Sequence, residues 1–209
     1  MKREQLIKDM IQVCHDIYER NLVSSTGGNV SIKVDNKVII TASGVCLGKI
    51  TEKQLVKVNL DGNVIGEGKP SKEITMHLQL YKSYPKCRVV IHAHSPYIVA
   101  VSCMAIGDKS SMMPIFTPSC AIKVGFISIV PYYLPGSEKL SSAVALKMGK
   151  SKAVILQNHG VVCKSEKITT AKYILEEVEE NAKIYLLTEG HGRCLTNEQV
   201  KELLEHYGN

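Results

Sequence analysis

Residues 88–97 read RVVIHAHSPY, an apolar run that ends in two histidines separated by one alanine. In an extended strand side chains alternate between faces, so His92 and His94 project from one side and Ala93 from the other. A core-facing row ordinarily continues with valine or isoleucine. Two imidazoles on one face of a rigid strand instead make a two-point handle for a borderline divalent ion such as zinc. A lone strand histidine is more often a hydrogen-bonded core or surface residue, and the pairing is what points to a ligand role. A third histidine, His159, stands in AVILQNHGVV, where another apolar strand ends at a tight turn and Gly160 is placed to adopt positive φ. Three neutral imidazoles leave zinc an open coordination position, as a Lewis-acid catalyst requires. His15, His77, His191 and His206 fall in helical or terminal segments and read as structural or solvated.

Hydrophobic periodicity supplies the frame around these residues. Leu6, Met10, Val13 and Ile17 mark one face of a first helix. VSIKVDNKVIIT reads as two strands about an Asp35-Asn36 turn, and a second strand pair is expected about Asp61-Gly62-Asn63. A helix beginning near Ser71 carries Ile74, Leu78 and Tyr81 and leads into a strand at 88–92; Ser95-Pro96 then opens a helix towards Cys103. Strands are expected at 126–131 and 153–157, with a helix after Ser137 between them marked by Leu140, Val144 and Met148. The longest helix spans 167–188 with Gly190 just beyond, and TNEQ at 196–199 is a capping box for a last helix through Leu203 and Leu204. Hairpins mixed with strand-helix units predict an α/β fold with a mixed, mostly antiparallel sheet covered by helices. With no linker or repeat, the whole of 1–209 reads as one domain.

Composition excludes several roles. No stretch approaches eighteen apolar residues, and MKREQLIKDMIQ lacks the apolar block of a signal peptide, so a cytoplasmic protein with no membrane partner is expected. Seven cysteines, none at CxxC spacing, read as reduced thiols. The net charge of +6 is spread over scattered lysines, aromatics are 5% and Trp is absent, which argues against nucleic acid and suits an anionic small molecule.

Glu73 stands at the start of a helix. There it is either a first-turn acid favoured by the helix dipole or a carboxylate that ligates the ion and moves a proton beside it. Three segments offer phosphate-binding chemistry: SSTGGNVS with Gly28 and Asn29, TASG with Ser43 and Gly44, and PSK with Ser71 and Lys72. None matches a P-loop or a dinucleotide fingerprint.

Taken together, GGNVS, TASG, KPSKE, VIHAHS and QNHGVV, in this order and spacing, resemble the class II aldolase/adducin family through nearly the whole chain. The resemblance implies a three-layer α/β/α sandwich and a homotetramer with active sites between subunits. It also implies zinc, or another divalent ion such as Mn or Co, on His92, His94 and His159. Glu73 would be a further ligand and the acid/base, and Gly28, Asn29, Ser43, Gly44, Ser71 and Lys72 would cradle the phosphate of a small sugar or sugar acid. The implied activity is a metal-dependent carbon-carbon lyase working through a stabilised enediolate. Family breadth puts an aldolase of the L-fuculose 1-phosphate type first, with decarboxylation of 3-oxo-tetronate 4-phosphate as the alternative. Sugar-phosphate 4-epimerisation is disfavoured by Glu rather than Asp at position 73, and a non-catalytic adducin-like domain by the retained histidines. Both lyase branches carry a Tyr, in the aldolase a proton donor from the adjacent subunit, where this chain has Ser119, and Tyr132, Tyr133 or Tyr207 are the candidates to replace it.

Overall fold

Strand alternation divides the apolar residues between two layers, one on each face of a single sheet. The computed structural model describes residues 3–104, 112–149 and 151–208. Their helices are α1 (Arg3–Glu19), α2 (Ile74–Ser83), α3 (Pro96–Ser102), α4 (Pro118–Lys123), α5 (Glu138–Met148), α6 (Ile168–Leu187) and α7 (Asn197–Tyr207). The strands are β1 (Asn29–Val34), β2 (Lys37–Thr41), β3 (Leu55–Asn59), β4 (Val89–Ala93), β5 (Met112–Met113), β6 (Ile127–Val130), β7 (Ala153–Leu156) and β8 (Gly160–Ser165). They form one eight-stranded sheet in the order β3-β2-β1-β4-β8-β7-β6-β5. Only β6 and β7 run parallel; the other neighbouring pairs are antiparallel.

One apolar layer joins Ile32, Ile91, Ala93 and Val161 of the sheet to buried residues of α1, α3, α4, α6 and α7. The other joins Val38, Val90 and Val162 to Met76, Leu80 and Tyr81 of α2 and Leu140 and Val144 of α5. The architecture is therefore the expected α/β/α sandwich on a mixed, mostly antiparallel sheet. Val90 faces the α2/α5 layer, and two residues on so does His92, which puts the histidine face beneath α2.

Several expected elements form close to the anticipated bounds, among them α1, the β1-β2 hairpin with Asp35 at φ 53°, α5 capped by the Ser137 hydroxyl, and α7 with its capping box. The second hairpin closes only in part: the Asn59 amide donates to Asn63 O and the Ile65 amide to Lys57 O, but no full strand follows the turn. Beyond Gly62 the chain makes one isolated bridge, Val58 to Val64, and Gly66 and Gly68, at φ 91° and 113°, then turn it out of extended conformation. Ser71 and Lys72 form a turn before α2, because the Glu73 amide donates to Ser71 Oγ and the Ile74 amide to Ser71 O. Gly160 does not adopt positive φ; Asn158 does, at 55°. Gly160 instead begins β8, an unanticipated strand, and a Cβ there would collide with the Ala93 carbonyl oxygen.

Ser95 occupies the N-cap of α3, yet its buried hydroxyl makes no cap bond. Glu179 of α6 takes that role from across the layer, accepting from the Tyr97 and Ile98 amides at 3.0 Å each. This anchors the segment that directly follows His94. Glu179→Ala would leave these amides without a partner and cost about 1–3 kcal/mol. Urea unfolding should show that loss as a lower midpoint at unchanged slope; an unchanged midpoint would show that the bonds contribute nothing.

Candidate metal centre

β4 delivers the first two ligands. It pairs with β1 and β8 in a register that sets Asn29 opposite His92 on one side and Val162 on the other. His94 lies one residue past the strand, and His159 sits in the tight turn between β7 and β8, where its amide donates to Leu156 O. Three imidazoles from two chain segments thereby meet at one end of the sheet, with ring centroids 4.7, 4.8 and 5.0 Å apart. Glu73, the residue before α2, comes down from the helix layer. One donor atom from each of Glu73, His92, His94 and His159 lies within 4.8 Å of all the others.

Orientation within the cluster follows from hydrogen bonding. His92 is fully buried, and its Nδ1 lies 2.9 Å from the Val161 carbonyl oxygen. A carbonyl only accepts, so Nδ1 carries the proton and the Nε2 lone pair faces the centre. His92 Nε2 lies 2.8 Å from His94 Nε2 and 3.0 Å from Glu73 Oε2. Glu73 Oε1 is 3.4 Å from His159 Nε2, is buried, and has no hydrogen-bond partner. Converging imidazole nitrogens and an orphaned buried carboxylate oxygen are what a bound divalent cation would satisfy. The residues fit a three-histidine, one-carboxylate divalent site.

The protonation states agree. Burial lowers the pKa of His94 to about 4, helped by its histidine neighbours, and burial likewise lowers that of His159. Both rings therefore stay neutral and ready to ligate at neutral pH. Burial would raise the Glu73 carboxyl; positive charge on the His92 side, the Asn29 hydrogen bond and His159 outweigh it, so the group is held well below its ordinary value whenever a proton or a cation sits among the imidazoles.

The three phosphate-type segments also converge. The Val30 amide donates to Thr41 Oγ1, the Ser43 amide to Lys69 O, and the Ser71 amide to Thr41 O. The segments that carry Gly28, Ser43, Gly44, Ser71 and Lys72 are thus joined, and Ser71 Oγ accepts from the Glu73 amide. Gly28 has φ 75°, and a Cβ there would lie 2.8 Å from His92 O, so it closes the loop tightly over β4. Asn29 is buried, and its Nδ2 donates to Glu73 Oε2 at 3.0 Å.

Other candidates are elsewhere. Ser119 donates to Glu177. Tyr207 borders a cavity of about 900 Å³ at the opposite end of the sheet, lined by lysines and by none of the three clustered histidines. The Tyr132 amide donates to Gln157, two residues before His159, so this tyrosine emerges at the ligand end. His15 contacts Ile50 O, and His191 and His206 are exposed. His77, set aside in the sequence as structural, is buried against Asn29 behind Glu73. Its signal was the four-residue spacing from Glu73, which places both on one face of a helix.

The model of the class II aldolase and adducin N-terminal domain matches residues 8–186. The chain belongs to the class II aldolase and adducin family. Among relatives within it, the 3-oxo-tetronate 4-phosphate decarboxylase of Haemophilus influenzae is 37% identical over 196 residues, 93% of each chain. The L-fuculose phosphate aldolase of Methanocaldococcus jannaschii is 36% identical over 180 residues, 86% of this chain and 95% of that one. Among solved class II aldolase structures, YgbL of Klebsiella pneumoniae superposes with a TM-score of 0.91 at 34% identity, covering 97% of this chain and 99% of that one. An L-fuculose 1-phosphate aldolase gives 0.89 at 29%, covering 99% and 98%. The chain is accordingly a metal-dependent lyase of this family, and no helix among the described residues is long and apolar enough to cross a membrane.

Two outcomes follow from this geometry. The purified protein should hold about one divalent ion per chain by mass spectrometry or atomic absorption, and His94→Ala and His159→Ala should each lose it; undiminished metal in both would place the ion elsewhere. Metal-free protein should weaken on acidification. His77, its pKa lowered to about 3 by burial, and His94, lowered to about 4, bind protons in the unfolded chain before they do in the fold. Stability should therefore fall as pH drops from about 6.5 towards those values, measured as the urea midpoint.

Proposed function

We propose that the chain is a carboxy-lyase that removes carbon dioxide from 3-oxo-tetronate 4-phosphate. One observation carries the choice of branch. Decarboxylase relatives from Haemophilus influenzae, Pectobacterium atrosepticum and Escherichia coli match over 93–96% of the chain at 34–37% identity. The archaeal fuculose phosphate aldolases reach similar identity, 36–38%, but over only 84–86%. The order of the two activities expected from the sequence is therefore reversed here.

The substrate's constitution suits the site. It is a four-carbon acid with a ketone two carbons from the carboxylate and a phosphate at the far end. When bound, a divalent ion, for which we propose zinc, supplies Lewis acidity that stabilises negative charge on the ketone and neighbouring hydroxyl oxygens. His92, His94 and His159 hold that ion. The bond to the carboxylate carbon breaks, its electron pair passes towards the ketone oxygen, and carbon dioxide leaves. Glu73 Oε1, ionised at rest, takes a proton from solvent and passes it to the carbon left behind, returning to the carboxylate, and dihydroxyacetone phosphate results. Gly28, Ser43, Gly44, Ser71 and Lys72 are assigned to the phosphate, through backbone amides, hydroxyls and one cation. Asn29 serves this site through Glu73, since its side-chain amide is committed there.

A homotetramer with sites between subunits, and a cytoplasmic location, accompany this reading. With Ser119 in place of the family's tyrosine, Tyr132 is the proposed replacement as a hydrogen-bond donor at the reacting end, because its backbone is held beside the His159 turn. The aldolase reading is retained as the second one, on the 0.89 TM-score to a fuculose 1-phosphate aldolase.

The ion-loaded protein should release carbon dioxide and dihydroxyacetone phosphate from 3-oxo-tetronate 4-phosphate. It should not condense dihydroxyacetone phosphate with lactaldehyde or glycolaldehyde at a comparable rate; the reverse pattern would assign it to the aldolases. Glu73→Gln should lower kcat by about 10²-fold or more with the fold intact by circular dichroism. Near-normal turnover would remove Glu73 from its role.

A further inference from the structure

His77 is fully buried, and both of its ring nitrogens are engaged. Nδ1 lies 2.7 Å from Ser31 Oγ, and Nε2 lies 2.6 Å from Asn29 Oδ1. The contacts continue in both directions. Ser31 Oγ is 2.7 Å from the Tyr81 hydroxyl, and Asn29 Nδ2 is 3.0 Å from Glu73 Oε2. Five side chains from β1, α2 and the residue before α2 thus form an unbroken line from the apolar layer to the centre.

The polarity of that line is fixed from its outer end. A carboxylate oxygen only accepts, so Asn29 turns its NH₂ to Glu73 and its carbonyl oxygen to His77. That oxygen also only accepts, so His77 carries a proton on Nε2. Burial holds the ring neutral, its pKa lowered to about 3, and Nδ1 is then a lone pair that receives the Ser31 hydroxyl proton. Ser31 in turn accepts from Tyr81. Every donor has one acceptor, and no group is free to reverse without reversing all the others.

We propose that His77 is a positioning residue of this centre: its Nε2–H locks the Asn29 amide with the NH₂ towards Glu73 Oε2, which leaves Oε1 as the oxygen that moves a proton. The kinetic part of this proposal rests on the role given to Glu73 above. Without the lock only the Glu73 carboxylate orients the amide, and its carbonyl oxygen is left buried with no partner to oppose its turning. A rotated amide would set its carbonyl oxygen against Glu73 Oε2 across the same 3.0 Å, two acceptors with no proton between them. The carboxylate would swing away, and Oε1 would lose its place 3.4 Å from His159 Nε2. A displacement of about 1 Å in a catalytic group can cost about 10²-fold in rate.

Long-range proton–nitrogen NMR on the metal-free and zinc-loaded protein reads the lock without any substrate. The expected result is a neutral His77 in the Nε2–H tautomer across pH 5–8; an Nδ1–H tautomer or an imidazolium overturns the proposal. Kinetics supply the second arm. His77→Leu should lower kcat by about 10²-fold with KM and bound ion nearly unchanged, and His77→Gln, which restores a donor towards Asn29, should recover most of the loss. Equal kcat in the two variants, or an effect confined to KM, would reduce His77 to a packing role. Should the wild-type protein turn over no sugar phosphate, the proposed function fails, and the tautomer still decides the lock.

Discussion

The centre depends on the pairing of β4 between β1 and β8. His92 faces the α2 layer because Val90 does, and it meets Asn29 because that register sets the two opposite each other. A slip of one residue would send His92 to the other face, beneath α3 and α6, where the Glu179 carboxylate is already committed to the Tyr97 and Ile98 amides. The His92 Nδ1–H bond to Val161 O uses the same register on the β8 side. Strand pairing therefore sets both where the imidazole is and which nitrogen it presents.

Two kinds of group with opposite needs share this small volume. Histidines ligate only when neutral, which burial favours; a carboxylate works as a base only when charged, which burial opposes. The fold resolves the conflict by giving Glu73 a partner on each side, Asn29 from β1 and the imidazoles from β4 and the turn at His159. The loops about Gly28, Ser43 and Ser71 come together through backbone bonds and the Thr41 hydroxyl, so their arrangement does not wait for a ligand.

Much of this was legible in the sequence because it follows from local periodicity. Alternation placed His92 and His94 on one face, and the helical spacing of Leu140, Val144 and Met148 gave α5 its buried side. The clustering of Glu73 with the three histidines was also legible, since these residue types are chemically distinctive. What escaped depends on contacts across the fold. β5 is two residues long, and β8 is recognised only through its partners β4 and β7. Gly160 looked like a turn glycine because sequence carries φ preferences but not the position of the Ala93 carbonyl. His77 looked inert because its four-residue spacing from Glu73 marks a shared face but not the Asn29 side chain that lies opposite it. The second hairpin lacks a full outer strand because two glycines turn the chain away after the first bridge.

The four ligand side chains belong to stretches far apart along the polypeptide: the entry to α2, the end of β4 and the β7-β8 connection. A cation captured there is also a removable cross-link, joining parts of the chain whose mutual approach is entropically expensive in the unfolded ensemble. Resistance to heat and to proteases is therefore tied by mass action to the free concentration of that ion. Scarcity of the metal would erode the scaffold as well as its chemistry.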